Sequence, residues 1–271
     1  MRPVSVACLH LMDLQLTNKV VLITGGAKGI GAAISRGVAR EGAVPVIVDR
    51  DASAAEQLQA ELQNSGARSY SITTELAVAA NCSHAVDETV RLAGRLDALI
   101  NNAGVNDRIG LQHGSPEQYV ASLQRNLLHC YNVAHFALPS LKQARGCIVN
   151  VGSKTALTGQ GGTSGYASSK GAILALTREW AVELLPYAIR VNAVVPAEVM
   201  TPLYRQWLDT FPQPEAKLKD IIGRIPLGKR MTTPEEIAAM VLFLISPQAG
   251  HITGQHIFVD GGYTHLDRAL T

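Results

Sequence analysis

A glycine-rich turn between an apolar run and a helical pattern, near the N-terminus, constrains the fold of this chain more than any other feature. The run from Val20 to Ile23 has the length and β-branched content of a strand. It enters Thr24-Gly25-Gly26-Ala27-Lys28-Gly29-Ile30-Gly31, after which apolar residues return with helical spacing. This order predicts a βα unit whose turn binds phosphate groups, because a helix N-terminus presents unpaired N–H groups and a positive dipole end.

The three glycines of this turn have separate predicted tasks. Gly25 permits a tight turn, Gly29 lets the backbone approach a pyrophosphate, and Gly31 lets the helix pack close to its strand. The spacing is Gly-x-x-x-Gly-x-Gly rather than Gly-x-Gly-x-x-Gly. A plain glycine-rich turn is the alternative, and the strand before it, the helix after it and an acidic residue further on all argue against that alternative.

That acidic residue is Asp49, at the end of the next strand-like run, Val44 to Val48. A carboxylate there accepts hydrogen bonds from the ribose hydroxyls of an adenosine and repels a 2′-phosphate, which favours NAD over NADP. Arg50 follows directly and suits a 2′-phosphate, so NADP stays possible. The alternative for Asp49 is a solvated carboxylate at a strand end.

Strand-like and helical patterns alternate along the rest of the chain. Strands are predicted at 19–24, 44–49, 69–74, 97–101, 147–152, 189–195 and 256–260, and helices near 29–42, 52–65, 79–94, 116–143, 164–185 and 234–245. Such alternation predicts an α/β fold of the Rossmann type, a doubly wound parallel sheet of about seven strands with helices on both faces. We expect residues 14–271 to form one domain and residues 1–13 a flexible extension.

Composition excludes several classes of function. Hydrophobic residues make up 47% of the chain and charged residues 17%, as in a compact globule. The net charge of +2 argues neither for nor against a polyanionic partner, and no Lys/Arg cluster or interleaving of aromatic and basic residues indicates nucleic acid binding. No apolar stretch reaches the roughly 18 to 20 residues of a membrane span, and no secretory signal is recognisable. The four cysteines and eight histidines lack metal-ligand spacing. We therefore predict reduced thiols, no catalytic metal and a cytoplasmic location.

Tyr166 and Lys170 stand one helical turn apart, and Ser153 follows the apolar run that ends at Gly152. An ammonium beside a phenol favours the phenolate and lowers the tyrosine pKa from its free value near ~10, which would make Tyr166 a usable acid or base. Ser153 is predicted to hold the substrate oxygen. Tyr-x-x-x-Lys is common by chance, so the inference depends on the nucleotide-binding features before it.

Two asparagine segments each have a functional and a structural interpretation. Asn102-Ala103-Gly104 follows the fourth predicted strand, where small residues would let a cofactor pass close to the backbone; the alternative is an ordinary asparagine–glycine turn. Asn126 falls inside the long predicted helix. It is either an exposed polar position or the holder of a water molecule that links Lys170 to solvent.

Together these motifs resemble the short-chain dehydrogenase/reductase family from about Leu14 to the C-terminus, including Asp260-Gly261-Gly262. The resemblance implies a catalytic tetrad of Asn126, Ser153, Tyr166 and Lys170. The cofactor-binding residues it implies are Gly25, Lys28, Gly29, Ile30, Gly31, Asp49, Arg50, Glu75, Leu76, Asn102, Ala103, Gly104, Tyr166, Lys170, Pro196, Val199 and Thr201. It also implies a homo-oligomer, a tetramer or dimer, formed through the helices of 116–143 and 164–185. Two positions depart from the commoner pattern: Ala197 where Gly is usual, and Glu75 where Asp is usual.

Within the family the chain is most similar to the L-fucose dehydrogenase group and related aldose dehydrogenases. That similarity implies oxidation of a sugar at C1 to a lactone. The tail from Tyr263 to Thr271 carries aromatic, imidazole and guanidinium groups, so we expect it to close over an active site, its own or a neighbour's; a frayed terminus is the alternative. The substrate-binding candidates are Asn106, Ser153, Lys154, Gln160, Tyr166, Glu198 and Arg205. The alternatives are a carbonyl reductase of the ketoacyl-thioester or hydroxysteroid type, and a non-catalytic protein that senses nucleotides. For the polar candidates, simple surface polarity is the competing explanation.

Overall fold

All seven strands lie parallel in one sheet of the order β3-β2-β1-β4-β5-β6-β7, in a computed structural model that describes residues 13–266. The strands are β1 Val20–Thr24, β2 Val44–Asp49, β3 Tyr70–Thr73, β4 Ala98–Asn101, β5 Cys147–Val151, β6 Arg190–Pro196 and β7 His256–Val259. Each coincides with a predicted strand, and the predicted Rossmann-type fold is confirmed. The extension predicted for residues 1–13 lies outside the described residues, except for Asp13.

Helices cover the sheet on both faces, which explains why its strands are continuous apolar runs. Every residue of β1 and of β5 is buried. Within β1, Leu22 packs into the core under α3, α5 and α7, whereas Ile23 packs into the core under α1 and α10. Because successive strand residues point to opposite faces, both alternate sets of side chains must be apolar.

Ten α-helices connect and flank these strands in the described part of the chain. They are α1 Gly29–Arg40, α2 Ala52–Asn64, α3 Ala79–Ala93, α4 Pro116–Leu123, α5 His129–Ala144, α6 Thr155–Thr158, α7 Ser164–Glu183, α8 Pro202–Leu208, α9 Pro214–Gly223 and α10 Pro234–Ile245. Helices α6, α8 and α9 were not predicted. They are short, and α8 and α9 each begin with a proline and bury little surface, so their apolar periodicity is weak.

The prediction of one helix over 116–143 is wrong in one respect. A π-helical turn, Gln124–Leu128, separates α4 from α5, and Asn126 is the buried residue of that turn. Turns of this kind are rare and often mark functional positions. No helix in the described range has both the length and the apolar character that crossing a membrane requires.

From β1 the chain adds β2 and β3 on one side of the sheet, and it then returns to add β4 on the other side of β1. Connections from these strands therefore leave on opposite faces, and a crevice opens beyond the carboxyl ends of β1 and β4. Ligands of open parallel sheets bind at such a point. Gly25, Asn102 and Ser153 follow directly after, or close to, the ends of β1, β4 and β5.

Candidate active site

The loop after β4 is held against the glycine turn by hydrogen bonds at this crevice. The Thr24 hydroxyl accepts from the backbone N–H groups of Asn102 at 3.0 Å and Ala103 at 3.1 Å, and donates to the carbonyl of Ile100 at 3.2 Å. The Asn102 side-chain amide donates to the carbonyls of Thr24 at 3.0 Å and Gly25 at 2.9 Å. Asn102 thus joins the loop after β4 to the loop after β1, so the segment Asn102-Ala103-Gly104 is more than a local turn.

The glycine turn is too crowded for side chains. Gly25 and Gly29 have φ of 60° and 52°, in the left-handed region that favours glycine. A Cβ on Gly31 would lie 1.9 Å from the carbonyl oxygen of Gly25, and one on Gly29 would lie 3.1 Å from the Thr201 methyl carbon.

The N-terminus of α1 has no side-chain cap and no acidic residue in its first turn. Its N–H groups are therefore available for an anion, as phosphate binding requires.

Asp49 belongs to this turn and is only half exposed. Its carboxylate accepts from the backbone N–H of Ala27 at 3.1 Å through Oδ2 and from that of Asp51 at 3.1 Å through Oδ1. Arg50 forms an exposed ion pair with Glu75 at 3.6 Å. The Asp49 carboxylate is consequently oriented by the backbone at the end of β2, and the neighbouring guanidinium is partly engaged by another carboxylate.

Ser153, Tyr166 and Lys170 come together beyond the end of β5. The buried Lys170 ammonium donates to the carbonyl of Val151 at 2.7 Å and lies 5.6 Å from the centre of the Tyr166 ring. Ser153 is buried and hydrogen-bonded to Tyr166, and its hydroxyl also accepts from the Thr155 hydroxyl at 3.0 Å. A phenol, a hydroxyl and an ammonium therefore surround one point at the open end of the sheet.

The predicted lowering of the tyrosine pKa is wrong for the protein alone. Burial raises the pKa of Tyr166, and the hydrogen bond with Ser153 opposes that rise only in part. Burial also lowers the pKa of Lys170 to about 8. Desolvation disfavours both charged forms, so in this environment the phenolate needs a further positive charge close by.

Asn126 is buried, which excludes the exposed polar position. Its Oδ1 accepts from the backbone N–H of Val105 at 2.7 Å. A Cβ on Gly104 would lie 3.3 Å from this oxygen and 3.5 Å from the Lys170 ammonium, so Asn126 and Lys170 both border the loop after β4. The π-helical turn thus places Asn126 beside the lysine, as the predicted tetrad requires; its role in holding a water molecule stays a prediction.

Lys154 and Glu198 form a buried ion pair, which excludes simple surface polarity for these two residues. Their side chains are 9% and 13% exposed, although they are 44 residues apart in the chain. The backbone N–H of Lys154 donates to the carbonyl of Pro196 at 3.0 Å, so the pair lies beside Ser153 and the end of β6.

Two tyrosines complete this cluster: Tyr204, which was not among the predicted site residues, and Tyr263, the first residue of the predicted tail. The Tyr204 hydroxyl donates to Oε2 of Glu198 at 2.7 Å, and the Lys154 ammonium lies 3.9 Å from the centre of the Tyr263 ring. Asp260 holds the turn that presents Tyr263 by accepting from the backbone N–H groups of Gly262 and Thr264. The start of the C-terminal tail therefore contacts its own chain's site, and residues 267–271 lie outside the described range. Thr201 followed by a proline is a helix-start signal that would have placed Tyr204 on a helix.

The remaining substrate candidates are less well placed. Gln160 is exposed in the loop between α6 and α7. The Asn106 side chain accepts from the backbone N–H of Arg108 at 3.2 Å. The exposed Arg205 pairs with Asp209 at 3.1 Å and Glu215 at 2.7 Å along α8 and α9, so its guanidinium is engaged outside the cluster.

The remaining cofactor candidates follow the carboxyl ends of β3 and β6. Leu76 and Val199 are buried, Glu75 is exposed, and Thr201 caps α8 by accepting from the backbone N–H of Tyr204. Across residues 13–266 no group of three or more His, Cys, Asp or Glu side chains has the arrangement of a metal site. Cys82, Cys130 and Cys147 are free, buried thiols whose pKa burial raises to between about 11 and about 12.

Known proteins share this architecture. A family model described as enoyl-(acyl carrier protein) reductase matches residues 25–264. The cyclopentanol dehydrogenase of Comamonas testosteroni is 36% identical over 92% of this chain and 98% of its own length, and the bovine (Bos taurus) L-fucose dehydrogenase is 35% identical over 93% and 91%. The 3-oxoacyl-[acyl-carrier-protein] reductase FabG of Thermotoga maritima is 36% identical over 92% and 99%.

Among solved structures, the chain resembles the Cj0485 dehydrogenase with a TM-score of 0.91 and 44% identity, over 96% of this chain and 99% of that one. The curated relatives are about equally similar, yet their names refer to cyclopentanol, to L-fucose and to 3-oxoacyl-[acyl-carrier-protein]. Similarity to these proteins therefore leaves the substrate open, and the side chains around Ser153 must distinguish between the candidates.

Proposed function

The chain belongs to the short-chain dehydrogenase/reductase family of oxidoreductases, and we propose that it oxidises an aldose sugar, L-fucose or a close relative, at C1 to the lactone with NAD. The observation that supports a sugar is the buried Lys154–Glu198 pair beside Ser153. A charged pair beside the reacting oxygen favours a substrate with hydrogen-bonding groups, because an apolar substrate would leave the pair further desolvated without compensation.

The proposed chemistry uses the tetrad at the end of β5. The Tyr166 phenolate takes the proton from O1 of the sugar, and the Ser153 hydroxyl donates a hydrogen bond to the same oxygen. When bound, NAD supplies the hydride acceptor for the hydrogen on C1. Lys170 stabilises the phenolate by its charge and positions the ribose of the nicotinamide, while Asn126 supports Lys170 from the π-helical turn.

The residues present fit a dinucleotide. The uncapped N-terminus of α1 suits the pyrophosphate. A Cβ on Gly31 would collide with the carbonyl oxygen of Gly25, so glycine is needed for the tight turn at this N-terminus. We propose that Asp49 binds the adenosine ribose, with Glu75 and Leu76 by the adenine and Val199 and Thr201 by the carboxamide. The remaining proposed contacts are Gly25, Lys28, Gly29, Ile30, Arg50, Asn102, Ala103, Gly104 and Pro196.

NAD is favoured over NADP because backbone hydrogen bonds orient the Asp49 carboxylate at the end of β2. Arg50 is the group that would attract a 2′-phosphate, and it is paired with Glu75. Since an exposed ion pair is weak, NADP is the second candidate. The three buried free thiols suit a reducing compartment, so we propose a cytoplasmic location.

The second candidate function is reduction of a ketoacyl thioester, which the similarity to FabG supports. A hydroxysteroid substrate would instead need a large apolar pocket, and here two charged side chains and Tyr204 cluster beside Ser153. A nucleotide-sensing protein without activity would have no use for a complete tetrad, and all four side chains are present.

A panel of substrates and cofactors tests this proposal directly. Purified protein with NAD and L-fucose is expected to form NADH, with a kcat/KM at least tenfold above that for cyclopentanol or a hydroxysteroid. NADP should support the same reaction more slowly. Reduction of an acetoacetyl thioester with NADH or NADPH is the opposing measurement. Thioester reduction without oxidation of any sugar would contradict the proposed substrate class.

We also propose that the protein is a homo-oligomer, a dimer or tetramer, assembled through α5 and α7. Leu128 and Tyr131 are 45% and 51% exposed and border a shallow apolar cleft with Ala172, Ala175 and Leu176. Light scattering is expected to give two or four times the 28.9 kDa of one chain. Tyr131→Glu should lower that mass, because a charge would be buried in the interface. A monomeric wild type would exclude the assembly.

A further inference from the structure

We propose that Tyr204 determines substrate specificity by orienting the Glu198 carboxylate, so that Glu198 and Lys154 together recognise adjacent hydroxyl groups of the substrate. This inference rests on the proposed oxidation of a sugar and extends it. Tyr204 does not contact the reacting atoms in this scheme, so it is a positioning residue that acts through Glu198.

Both oxygens of the Glu198 carboxylate have a protein partner. Oε1 pairs with the Lys154 ammonium, and Oε2 accepts from the Tyr204 hydroxyl at 2.7 Å. These contacts fix the rotation of the carboxylate, because its two oxygens bind different partners and the side chain is only 13% exposed. Each oxygen keeps a further lone pair with which it can accept from a hydroxyl group.

The ammonium of Lys154 has a second contact besides Glu198. It lies over the face of the Tyr263 ring at 3.9 Å, and a cation is attracted to such a face. An ammonium has three donors, so it can still donate to a ligand oxygen while it pairs with Glu198. The pair therefore offers an acceptor and a donor side by side, which matches two neighbouring hydroxyls of a pyranose.

The backbone places this pair next to the reacting oxygen. Lys154 follows Ser153 directly, and its N–H donates to the carbonyl of Pro196. The carbonyl of Glu198 accepts from the backbone N–H of Thr232 at 3.0 Å. A sugar whose O1 binds Ser153 would thus present a neighbouring part of its ring to the pair.

Tyr204 is suited to hold Glu198 in place. It lies in the first turn of α8, where its N–H donates to the Thr201 side chain, and its ring packs edge-on against Trp207 at 5.1 Å. Burial and the nearby carboxylate of Glu198 raise the pKa of Tyr204, so its hydroxyl keeps its proton and donates. The ring is therefore braced by α8, and the hydroxyl points to a single acceptor.

The test compares Tyr204→Phe with the wild type on L-fucose and on its monodeoxy analogues. The variant is expected to raise the KM for L-fucose about tenfold to a hundredfold, since a hydrogen bond to a charged group is lost, and to leave kcat within about threefold. The effect should disappear for the deoxy analogue that lacks the hydroxyl bound by Glu198, because that substrate never makes the contact. NAD affinity should not change.

Gln206→Ala is the matched control, since Gln206 is an exposed residue of the same helix. A second variant, Glu198→Gln, keeps the shape of the side chain, and adding Tyr204→Phe to it should change KM less than about threefold. Equal losses on L-fucose and on every deoxy analogue, or additive losses in the double variant, would overturn the role of Tyr204. Absence of sugar oxidation by the wild type would instead refute the proposed function.

Discussion

Replacing Tyr166 by phenylalanine is expected to lower kcat for sugar oxidation by about 10²- to 10⁴-fold, the usual contribution of a general acid or base. The change removes one oxygen and keeps the ring, so the fold and the binding of NAD should persist. Steady-state kinetics with NADH detection measures the loss, and fluorescence titration with NAD confirms that the variant still binds its cofactor. Tyr187→Phe is the control, because Tyr187 lies in a surface turn after α7.

The pH dependence of the wild type gives an independent view of the same group. Burial raises the pKa of Tyr166, and oxidation needs the phenolate, so the rate should fall as the pH drops and rise toward alkaline pH. Lys170 opposes this rise, because it loses the charge that stabilises the phenolate as the pH passes its pKa of about 8. A Tyr166→Phe enzyme that keeps its rate, or that keeps the same pH profile, would remove Tyr166 from the chemistry.

Gly31→Ala is expected to have the second large effect, on both cofactor binding and stability. The new Cβ would lie 1.9 Å from the carbonyl oxygen of Gly25 and 2.8 Å from the Asn102 amide nitrogen. These atoms belong to the hydrogen-bonded junction between the two loops, so either the turn or the start of α1 must move. We expect a loss of about 1 to 3 kcal/mol in the free energy of unfolding, as for other overpacked sites.

The displaced turn should also weaken NAD binding by about a hundredfold, because a shift of about 1 Å removes the alignment of the N–H groups with the pyrophosphate. Thermal unfolding and NAD titration measure the two effects. Gly223→Ala is the matched control, since a Cβ there meets no atom within 4 Å and Gly223 is far from the turn in sequence. If Gly31→Ala bound NAD as well as the control does, Gly31 would not be part of the cofactor site.

Much of the architecture could be predicted because its signals are local. A strand buried on both faces must be apolar throughout, so the runs that became β1, β2 and β5 stand out from their surroundings. The glycine turn can be predicted in the same way, because a left-handed backbone and close packing leave few alternatives to glycine. The α/β fold and the reaction class follow from these patterns, together with the Tyr166 and Lys170 spacing.

The parts that could not be predicted depend on contacts between distant segments. The turn at 124–128 interrupts a sequence whose helical periodicity continues through it, and helices α8 and α9 are short and bury too little surface to leave an apolar pattern. The rise in the Tyr166 pKa likewise follows from burial, and burial of the phenol cannot be predicted from residue spacing along a helix.

The sequence by itself determined the parallel sheet, the glycine turn after β1 and the candidate tetrad, because buried strands, tight turns and helical neighbours restrict residue types locally. Only the tertiary structure decided which polar residues belong together. It paired Lys154 with Glu198, added Tyr204 and Tyr263 to them, and engaged Arg205 elsewhere. Such pairing depends on how the loops after β5, β6 and β7 meet at one edge of the sheet, and a charge acquires a role in binding only when that packing shields it from water.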